Sequence, residues 1–385
     1  MSDIKIGVLG GGQLGRMLQQ EASALDLNIS FLDKAKDFPT GLITHNFVVG
    51  DFNNYDDVIR FGLDKDIVTI EIEAVNADAL SELESKGVKV YPQSRVIKTI
   101  KDKGLQKQFY SDNNFPTSKY ILAVDKDDII NKIKSGEINY PFVQKARTDG
   151  YDGKGVVVIK DSNATAQIMD VPSVIEHLVD IDKEIAIIVA RNEYHQITTF
   201  PLTEMVFDEK GNLLDYLISP ANVIEDVINH ATSLAHKLIT SFDMVGLLAV
   251  ELFLTKDGEI LINEVAPRTH NSGHHTINAN DVSQFQMQLR SICNLTLCPP
   301  RPRSKYSAIV NVLGTYDTTV GPPFYEGINE ILNQEGIFPH IYGKKIVKPL
   351  RKMGHVTILS DDEVDLLEKV NFVKQTLKVY HDNAK

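Results

Sequence analysis

The first 92 residues alternate short β-prone runs with amphipathic helical runs, and this alternation constrains the fold more than any other feature of the sequence. The pattern predicts five strands (Lys5–Leu9, Asn28–Leu32, Asn46–Val49, Ile67–Ile72 and Val88–Val90) and three helices (Gln13–Leu25, Tyr55–Leu63 and Asn76–Ser85). Alternation of this kind is typical of a parallel sheet that is covered by helices on both faces. We therefore expect an N-terminal, Rossmann-like parallel α/β domain.

Beyond residue 97 the alternation is less regular, which indicates an α+β segment. Helices are predicted at Lys98–Ser111 and Val223–Ser241, among several short strands. The proline cluster Pro299–Pro302 then separates a third, strand-rich segment. Because a chain of 385 residues exceeds one ordinary core, we expect three domains, at 1–96, 97–298 and 299–385.

The composition of the chain indicates which classes of partner are disfavoured and in which cellular compartment the protein is expected. The net charge of −12, from 40 basic and 52 acidic residues, disfavours nucleic acid and anionic membranes as partners. No apolar run approaches the ~20 residues of a membrane helix. Met1–Lys5 leads straight into a strand, which leaves no room for a signal peptide. With Cys293 and Cys298 as the only cysteines, we expect a cytoplasmic protein.

A predicted β-hairpin brings two carboxylates together. The β-prone runs Gly246–Thr255 and Ile260–Glu264 flank an Asp-Gly turn, which is the strongest local hairpin signal. A two-residue loop at Asp257-Gly258 would pair Glu251 with Glu264 across the two strands. Like charges directly opposite each other destabilise a sheet.

A hard divalent cation would offset that repulsion, and Asn263 adds a further oxygen ligand beside Glu264. We therefore predict a magnesium site at Glu251, Asn263 and Glu264 that holds a nucleotide polyphosphate. Solvated glutamates at a sheet edge are the alternative.

The first glycine loop, Gly10–Gly15, follows a strand and opens a helix, and Asp33 ends the next strand. This arrangement satisfies the dinucleotide-binding fingerprint. The motif provides backbone N–H groups and a positive helix end, which a small phosphorylated substrate would use equally well. Because nothing downstream resembles a hydride-transfer site, we favour a phosphorylated substrate over a nicotinamide cofactor.

A second glycine loop lies between two predicted strands, Phe142–Lys145 and Val156–Ile159, so it is neither a Walker loop nor a Rossmann turn. Its glycines allow the backbone to fold over a polyphosphate, and Lys145 and Lys154 supply positive charge. A mobile surface turn is the alternative.

Two further clusters need separate interpretation. The pair Arg351-Lys352, taken alone, is more typical of a solvated basic pair at the head of a strand. With Lys344, Lys345 and Lys348 nearby, it locally reverses the acidity of the chain, as an anion site would. The histidines at positions 270, 274, 275 and 355 lack the regular spacing of zinc ligands.

Several motifs together carry a family resemblance. A lysine-bearing strand, a glycine hairpin and a later Glu…Asn-Glu pair resemble the ATP-grasp superfamily. The more specific motifs resemble the 5-(carboxyamino)imidazole ribonucleotide synthases, and they occur in order over nearly the whole chain: Gly10–Met17, Gly150–Gly155, Asn263–His274, Ser283–Phe285 and Arg351–His355. The block Asn263–His274 is the most specific of them.

The resemblance implies a fold and a reaction. The middle domain would be an ATP-grasp domain with a lid subdomain at about 115–178, and the first domain would bind the ribonucleotide substrate. ATP, bicarbonate and 5-aminoimidazole ribonucleotide would give the N-carboxylated ribonucleotide, ADP and phosphate through carboxyphosphate, in purine biosynthesis. A homodimer and two magnesium ions are also implied.

The resemblance further implies roles for individual residues. The residues expected to contact ATP are Lys103, Lys145, Gly150, Tyr151, Asp152, Gly153, Lys154, Gly155, Val156, Glu176, His177, Val179, Glu184, Asn263 and Glu264. Magnesium would be held by Glu251, Asn263 and Glu264. The ribonucleotide would contact Gln13, Leu14, Glu73, Lys344, Arg351 and Lys352. The transfer region would be lined by Tyr151, Asp152, Arg268, His270 and Lys344.

The sequence departs from the family pattern at a few positions, and two other functions stay open. Phe207 replaces a histidine that is common near the nucleotide, and Ile72 and Ala74 flank Glu73 in place of the usual Phe and Asn. The alternatives are another ATP-grasp enzyme, such as a formate-dependent glycinamide ribonucleotide transformylase, and a non-catalytic nucleotide-binding module.

Overall fold

The structure is a computed structural model that describes residues 3–148, 155–207 and 214–382. Its N-terminal sheet is parallel, with the strand order β3-β2-β1-β4-β5. The elements are β1 (Lys5–Leu9), α1 (Gln13–Ala24), β2 (Asn28–Asp33), β3 (Phe47–Val49), α2 (Tyr55–Gly62), β4 (Ile67–Ile70), α3 (Ala77–Ser85) and β5 (Lys89–Tyr91). The predicted Rossmann-like domain is thus confirmed, with shifts of one or two residues at the ends of elements.

The middle segment carries two antiparallel sheets. Its helices are α4 (Ser94–Lys101), α5 (Lys103–Asp112), α6 (Lys126–Ser135), α7 (Glu225–Ser241), α8 (Thr276–Ala279) and α9 (Gln284–Ile292), with 3₁₀ turns at Ser162–Gln167 and Asn271–Gly273. The strands β6 (Tyr120–Ala123), β7 (Phe142–Ala146), β8 (Val156–Ile159) and β9 (Ser173–His177) form a sheet in the order β6-β9-β7-β8.

The larger sheet begins in the middle segment and continues into the third. Its middle strands are β10 (Ile181–Arg191), β11 (Ile197–Thr199), β12 (Thr203–Phe207), β13 (Leu214–Ser219), β14 (Gly246–Thr255) and β15 (Ile260–Ala266). The third segment contains β16 (Tyr306–Leu313), β17 (Phe324–Glu326), α10 (Ile328–Leu332), β18 (Ile337–Ile341), β19 (Lys352–Ser360), α11 (Glu363–Thr376) and β20 (Lys378–Tyr380). Since β13 pairs with β16, nine strands form one sheet across the proline cluster.

The single helix predicted at Lys98–Ser111 is wrong, because the chain forms two helices that are separated at Asp102. Asp102 has extended backbone angles (φ −109°, ψ 108°), and its carboxylate accepts the N–H groups of Gly104 and Leu105 as the N-cap of α5. The same carboxylate forms a bidentate ion pair with Arg147 at 2.6 and 2.8 Å. This break turns Lys103 toward the hairpin described below.

One hydrophobic core joins all three segments and thereby fixes their mutual placement. It packs Met17 and Leu18 of α1 against Phe285 and Leu289 of α9, and it includes the fully buried ring of Tyr342. A second core on the other face of the N-terminal sheet buries α2 and α3. None of the helices in the described ranges is long and apolar enough to cross a bilayer.

Candidate active site

The β14–β15 hairpin places Glu251 directly opposite Glu264, as predicted, but by a different route. The loop has three residues rather than two, because the N–H of Thr255 donates to the carbonyl of Glu259 and Gly258 is left-handed at φ +83°. That shifts the register by one residue, and a bulge between Leu252 and Glu251 shifts it back.

The extra residue of the bulge is Asn263, and its position has a chemical consequence. Successive residues of a regular strand point to opposite faces, whereas a bulge re-aims a side chain. Asn263 and Glu264 are neighbours, yet both contact lysines of the same site: Lys145 Nζ donates to Asn263 Oδ1 at 2.8 Å, and Lys103 Nζ donates to Glu264 Oε2 at 2.6 Å. The oxygen ligands predicted for magnesium are therefore together.

The carboxylates of Glu251 and Glu264 differ in pKa, because burial, their mutual repulsion and the nearby lysines act on them unequally. Burial, followed by the charges of Glu264 and Glu184, raises the pKa of Glu251. Burial also acts to raise the pKa of Glu264, but the ammonium groups of Lys103 and Lys145 outweigh it and lower that pKa. Glu184 lies on the neighbouring strand β10, on the same face as Glu251. A site with this excess of negative oxygens fits a hard divalent cation.

A buried ion-pair cluster supports the lysine of β7. Glu176 of β9 lies 3.0 Å from Lys145 Nζ and 3.2 Å from Lys107 Nζ, and it accepts a hydrogen bond from Ser118. The Lys107 side chain is only 3% exposed, and burial lowers its pKa to about 8. Burial would raise the pKa of Glu176, but Lys145 and Lys107 hold it below its usual range.

Lys107 was not predicted from the sequence, although a signal for it exists. It follows Lys103 by four residues on α5, so both side chains lie on one helix face. Glu176 was expected on the adenine side of the nucleotide. The structure buries its carboxylate between Lys145 and Lys107, whereas His177 is exposed and Val179 is partly exposed. The adenine-side role of these three residues stays a prediction.

The segment that follows β15 connects the carboxylate pair to the N-terminal domain. Arg268 Nε lies 2.9 Å from Glu73 Oε1, and His270 Nε2 lies 3.5 Å from Glu251 Oε1. The N–H of Ser272 donates to His270 Nδ1 at 3.3 Å, and Nε2 is the ring nitrogen that faces Glu251. Arg268 and His270 therefore stand between the two halves of the site.

The predicted ribonucleotide residues converge from opposite ends of the chain. Lys344 Nζ donates to Gln13 Oε1 and to the carbonyl of Lys352, each at 2.6 Å. The half-buried Arg351 belongs to the same turn, and its guanidinium donates to the carbonyl of Ile346 at 2.6 Å. The basic turn that was predicted from its charge thus lies at the interface between the third and first domains. There Lys344 contacts Gln13, the first residue of α1.

Three N–H groups of the first glycine loop are bonded to carboxylates of the chain itself. The carboxylate of Glu71 accepts the N–H groups of Gly12 at 2.5 Å and Leu14 at 3.0 Å, and Asp33 accepts that of Gly11 at 2.7 Å. The glycine loop and Asp33, the two parts of the dinucleotide fingerprint, are therefore bonded to groups of the chain itself. The nicotinamide alternative thereby loses its main support, while the contact of Gln13 and Leu14 with the ribonucleotide stays a prediction.

The second glycine loop is described only at its end. Gly155 and Val156 lead into β8, and Lys145 of β7 is the cross-strand partner of Val156. The sequence predictions for Gly150, Tyr151, Asp152, Gly153 and Lys154 lie outside the described residues. Within the described ranges, no three His, Cys, Asp or Glu side chains converge as a metal centre, so the candidate magnesium site consists of two carboxylates, Glu251 and Glu264, and the amide oxygen of Asn263.

Comparison with known proteins assigns the chain to a family. An ATP-grasp domain model matches residues 108–285, a ribonucleotide synthetase preATP-grasp domain model matches residues 3–101, and a phosphoribosylaminoimidazole carboxylase C-terminal domain model matches residues 307–369. The N5-carboxyaminoimidazole ribonucleotide synthase of Bacillus subtilis is 32% identical, over 95% of this chain and 94% of its own length. The chain belongs to the N5-carboxyaminoimidazole ribonucleotide synthase family. The three-domain arrangement of this family is confirmed, while the domain boundaries stay a prediction.

Other relatives extend the family and differ in length. The phosphoribosylaminoimidazole carboxylase of Saccharomyces cerevisiae is 33% identical over 97% of this chain, which spans about two thirds (66%) of the length of that relative. The crystal structure of the synthetase from Thermotoga maritima has a TM-score of 0.90 and 35% identity, and covers 98% of this chain and 100% of its own. An Aspergillus clavatus synthase in complex with ADP and 5-aminoimidazole ribonucleotide has a TM-score of 0.86 and 29% identity, over 97% of this chain and 100% of that one.

Proposed function

We propose that this chain catalyses the ATP-dependent carboxylation of 5-aminoimidazole ribonucleotide by bicarbonate, which yields N5-carboxyaminoimidazole ribonucleotide, ADP and phosphate in purine biosynthesis. The family supports this function, since the Bacillus subtilis relative bears the name of this synthase. The observation that carries the proposal is the short segment from Asn263 to His270. It reaches Lys103 and Lys145 at one end and Glu73 at the other.

The ATP half of the site supplies charge and position. Lys103 and Lys145 would neutralise the polyphosphate, and phosphoryl transfer depends chiefly on such positioning and electrostatic stabilisation. Glu251, Asn263 and Glu264 would hold magnesium, two ions of which would supply positive charge against the charge that develops on the phosphate oxygens. The lysines now bonded to Asn263 and Glu264 would move to the phosphates when the nucleotide binds. Glu184, at the same end of the sheet, would accept the ribose hydroxyls.

The transfer step needs a dry region between two substrates. Bicarbonate oxygen would attack the γ-phosphorus of ATP, so that ADP leaves and carboxyphosphate forms. The exocyclic amine would then form a bond to the carboxyl carbon, phosphate would leave, and the nitrogen would lose a proton. Arg268 and His270 lie between the two half-sites, where they would hold the anionic carboxyl group by charge and hydrogen bonding. Tyr151 and Asp152 would complete this region.

The ribonucleotide half of the site lies between the first and third domains. Arg351, Lys352 and Lys344 would bind the 5′-phosphate, and Gln13, Leu14 and Glu73 would contact the remainder of the substrate. The contact between Lys344 and Gln13 supports this placement, because it brings the two groups of residues together before any ligand binds. A homodimer and a cytoplasmic location also belong to the proposal, on the strength of the family likeness.

An ADP-release assay tests the proposal directly. The chain with magnesium, ATP, bicarbonate and 5-aminoimidazole ribonucleotide should release ADP only when the ribonucleotide and bicarbonate are both present. Glycinamide ribonucleotide with formate serves as the comparison substrate pair. ADP release with this second pair, and none with the first, would replace the proposed function with the formate-dependent one. No release with either pair would favour a binding module.

A further inference from the structure

Glu71 occupies the position at the N-terminus of α1 where a dinucleotide-binding domain would hold a phosphate. It is the first residue after β4, and its backbone N–H donates to the carbonyl of Leu9 at the end of β1. Neighbouring parallel strands present their carboxyl ends at one edge of the sheet. Glu71 is therefore carried to the glycine loop by strand order alone, and its carboxylate accepts the N–H groups of Gly12 and Leu14.

The three glycines of the fingerprint make room for this carboxylate. A Cβ atom on Gly10 would lie 2.7 Å from Glu71 Cβ, and one on Gly12 would lie 2.5 Å from Glu71 Oε1. A Cβ atom on Gly15 would lie 3.2 Å from Glu71 Oε2. Burial raises the pKa of Glu71, while the loop N–H groups oppose that rise by stabilising the carboxylate. The loop is thus shaped around an anion that belongs to the chain itself.

Glu71 is connected to the ribonucleotide half of the site through Gln13. The two N–H groups that it accepts belong to Gly12 and Leu14, the residues on either side of Gln13. The side chain of Gln13 in turn accepts from Lys344, whose ammonium group also donates to the carbonyl of Lys352. An uninterrupted path of hydrogen bonds and peptide links therefore joins Glu71 to the basic turn of the third domain.

We propose that Glu71 is a positioning residue of the ribonucleotide site, whose carboxylate holds the glycine loop so that Gln13 and Lys344 face the substrate. This inference rests on the proposed function. Glu71 would not touch the substrate. It would act through Gln13, as an internal counterpart of the phosphate that other glycine loops bind.

Chemical rescue tests the proposal. Glu71→Ala should raise the KM for the ribonucleotide about tenfold or more, because two charge-assisted hydrogen bonds are lost, and should leave the KM for ATP nearly unchanged. Acetate fits the vacated space and should restore most of the ribonucleotide KM in this variant. Glu71→Gln fills the same space with an amide, so it should show a raised KM that acetate does not restore. Glu82→Ala, which removes an exposed carboxylate of α3, is the control for charge and for acetate.

The outcomes separate this inference from the proposed function. The positioning role would be overturned if both Glu71 variants keep the wild-type KM for the ribonucleotide. It would also be overturned if their KM for ATP rises equally, or if all variants respond identically to acetate. If Glu71→Ala does not fold, a selective rise in the ribonucleotide KM of Glu71→Gln supports the role, and its absence overturns it. A wild-type chain that releases no ADP would overturn the proposed function alone. Even in that case, acetate should raise the melting temperature of Glu71→Ala and of no other variant. If it does not, the positioning role of Glu71 is overturned.

Discussion

Glu251 and Glu264 face each other across the β14–β15 ladder because the bulge at Asn263 restores the register that the three-residue loop shifts. The bulge has a second effect, since it brings the Asn263 amide to the side of the sheet that carries both carboxylates, where its oxygen accepts from Lys145 of the smaller sheet. The stretch of fourteen residues from Glu251 to Glu264 thus assembles three oxygen ligands. Their repulsion in the absence of a cation is a cost in stability that the site retains for its function.

Glu251→Gln should reduce ATP turnover while the unfolding free energy stays the same or rises. The charged form of Glu251 is disfavoured by burial and by Glu264, so a neutral amide of the same shape removes that penalty. Coordination of the metal stabilises the transition state by several kcal/mol, so turnover should fall about 100-fold or more. ADP release and thermal melting measure the two effects. Glu259→Gln in the exposed turn is the matched control, and wild-type turnover in a folded Glu251→Gln protein would contradict the metal assignment.

Lys107→Met should destabilise the fold and affect ATP affinity only through that loss. Lys107 is buried against Glu176 and donates to Thr117 and Ser118 at 2.6 and 2.9 Å. Removing one partner of a buried ion pair costs about 3 kcal/mol or more, although Lys145 would keep part of the compensation for Glu176. Urea unfolding measures the change.

Lys98→Met is the control for Lys107→Met, because Lys98 forms only a surface ion pair with Asp78. Surface pairs contribute little to stability, so this variant should unfold almost as the wild type does. Equal losses in the two variants would show that burial is not the cause.

The sequence was sufficient for the parallel sheet and the hairpin, since both depend on local periodicity and turn chemistry. It predicted the pairing of Glu251 with Glu264 only because the three-residue loop and the bulge at Asn263, neither of which was predicted, cancel in the register. It was insufficient for the break at Asp102. Asp102 is a favoured N-cap residue and Gly104 a weak helix former, so a local signal exists. The sequence does not show that the capping carboxylate also pairs with Arg147, 45 residues along the chain.

The first glycine loop shows a different limit of sequence reasoning. Its motif predicts a tight turn and an anion at the helix N-terminus, and both features are present. The motif does not specify whether that anion belongs to a bound ligand or to a side chain of the protein. Glu71 lies 59 residues beyond Gly12, and only the order of the strands in the sheet brings them together. The same holds for Lys344 and Gln13, which are 331 residues apart.

Arg351→Ala should raise the KM for the ribonucleotide about tenfold or more, as expected for the loss of a charged hydrogen-bonded contact. The KM for ATP should change little, because Lys103 and Lys145 belong to the other half of the site. Arg351→Lys should recover only part of the loss, since an ammonium group cannot reproduce the planar fork of the guanidinium. Initial-rate kinetics with each substrate varied in turn give both constants.

Lys345→Ala is the matched control for Arg351→Ala, because Lys345 is an exposed basic residue of the same turn. It should leave both constants near the wild-type values. If Arg351→Ala also leaves the ribonucleotide KM unchanged, the basic turn is a surface feature and the substrate phosphate binds elsewhere.

Three neighbouring histidines between the middle and third domains, of which His274 and His355 are fully buried, should make stability depend on pH. The ring centroids of His355 lie 4.8 Å from those of His274 and 4.6 Å from those of His340, and Nδ1 of His355 is bonded to the hydroxyl of Tyr342. His355 Nε2 has no hydrogen-bond partner among the described residues. Burial, and then the neighbouring histidines, lowers the pKa of His355 well below its usual range.

The unfolded chain therefore binds protons that the folded cluster does not, in the window from a pH of about 6.5 downward. Stability should fall as the pH falls through that window, by up to about 1.4 kcal/mol per pH unit for each such histidine. His355→Asn keeps an acceptor for Tyr342 and removes one titrating group, so its stability should fall less steeply between pH 7 and pH 5. Urea unfolding across this range compares the slopes, with the exposed His45→Asn as control.

Glu71 and Glu251 have raised pKa values, which make stability depend on pH in the opposite direction. Both residues are common to the wild type and the two variants, so their effects cancel in the comparison. Parallel slopes for His355→Asn and the wild type would show that the cluster does not couple folding to pH.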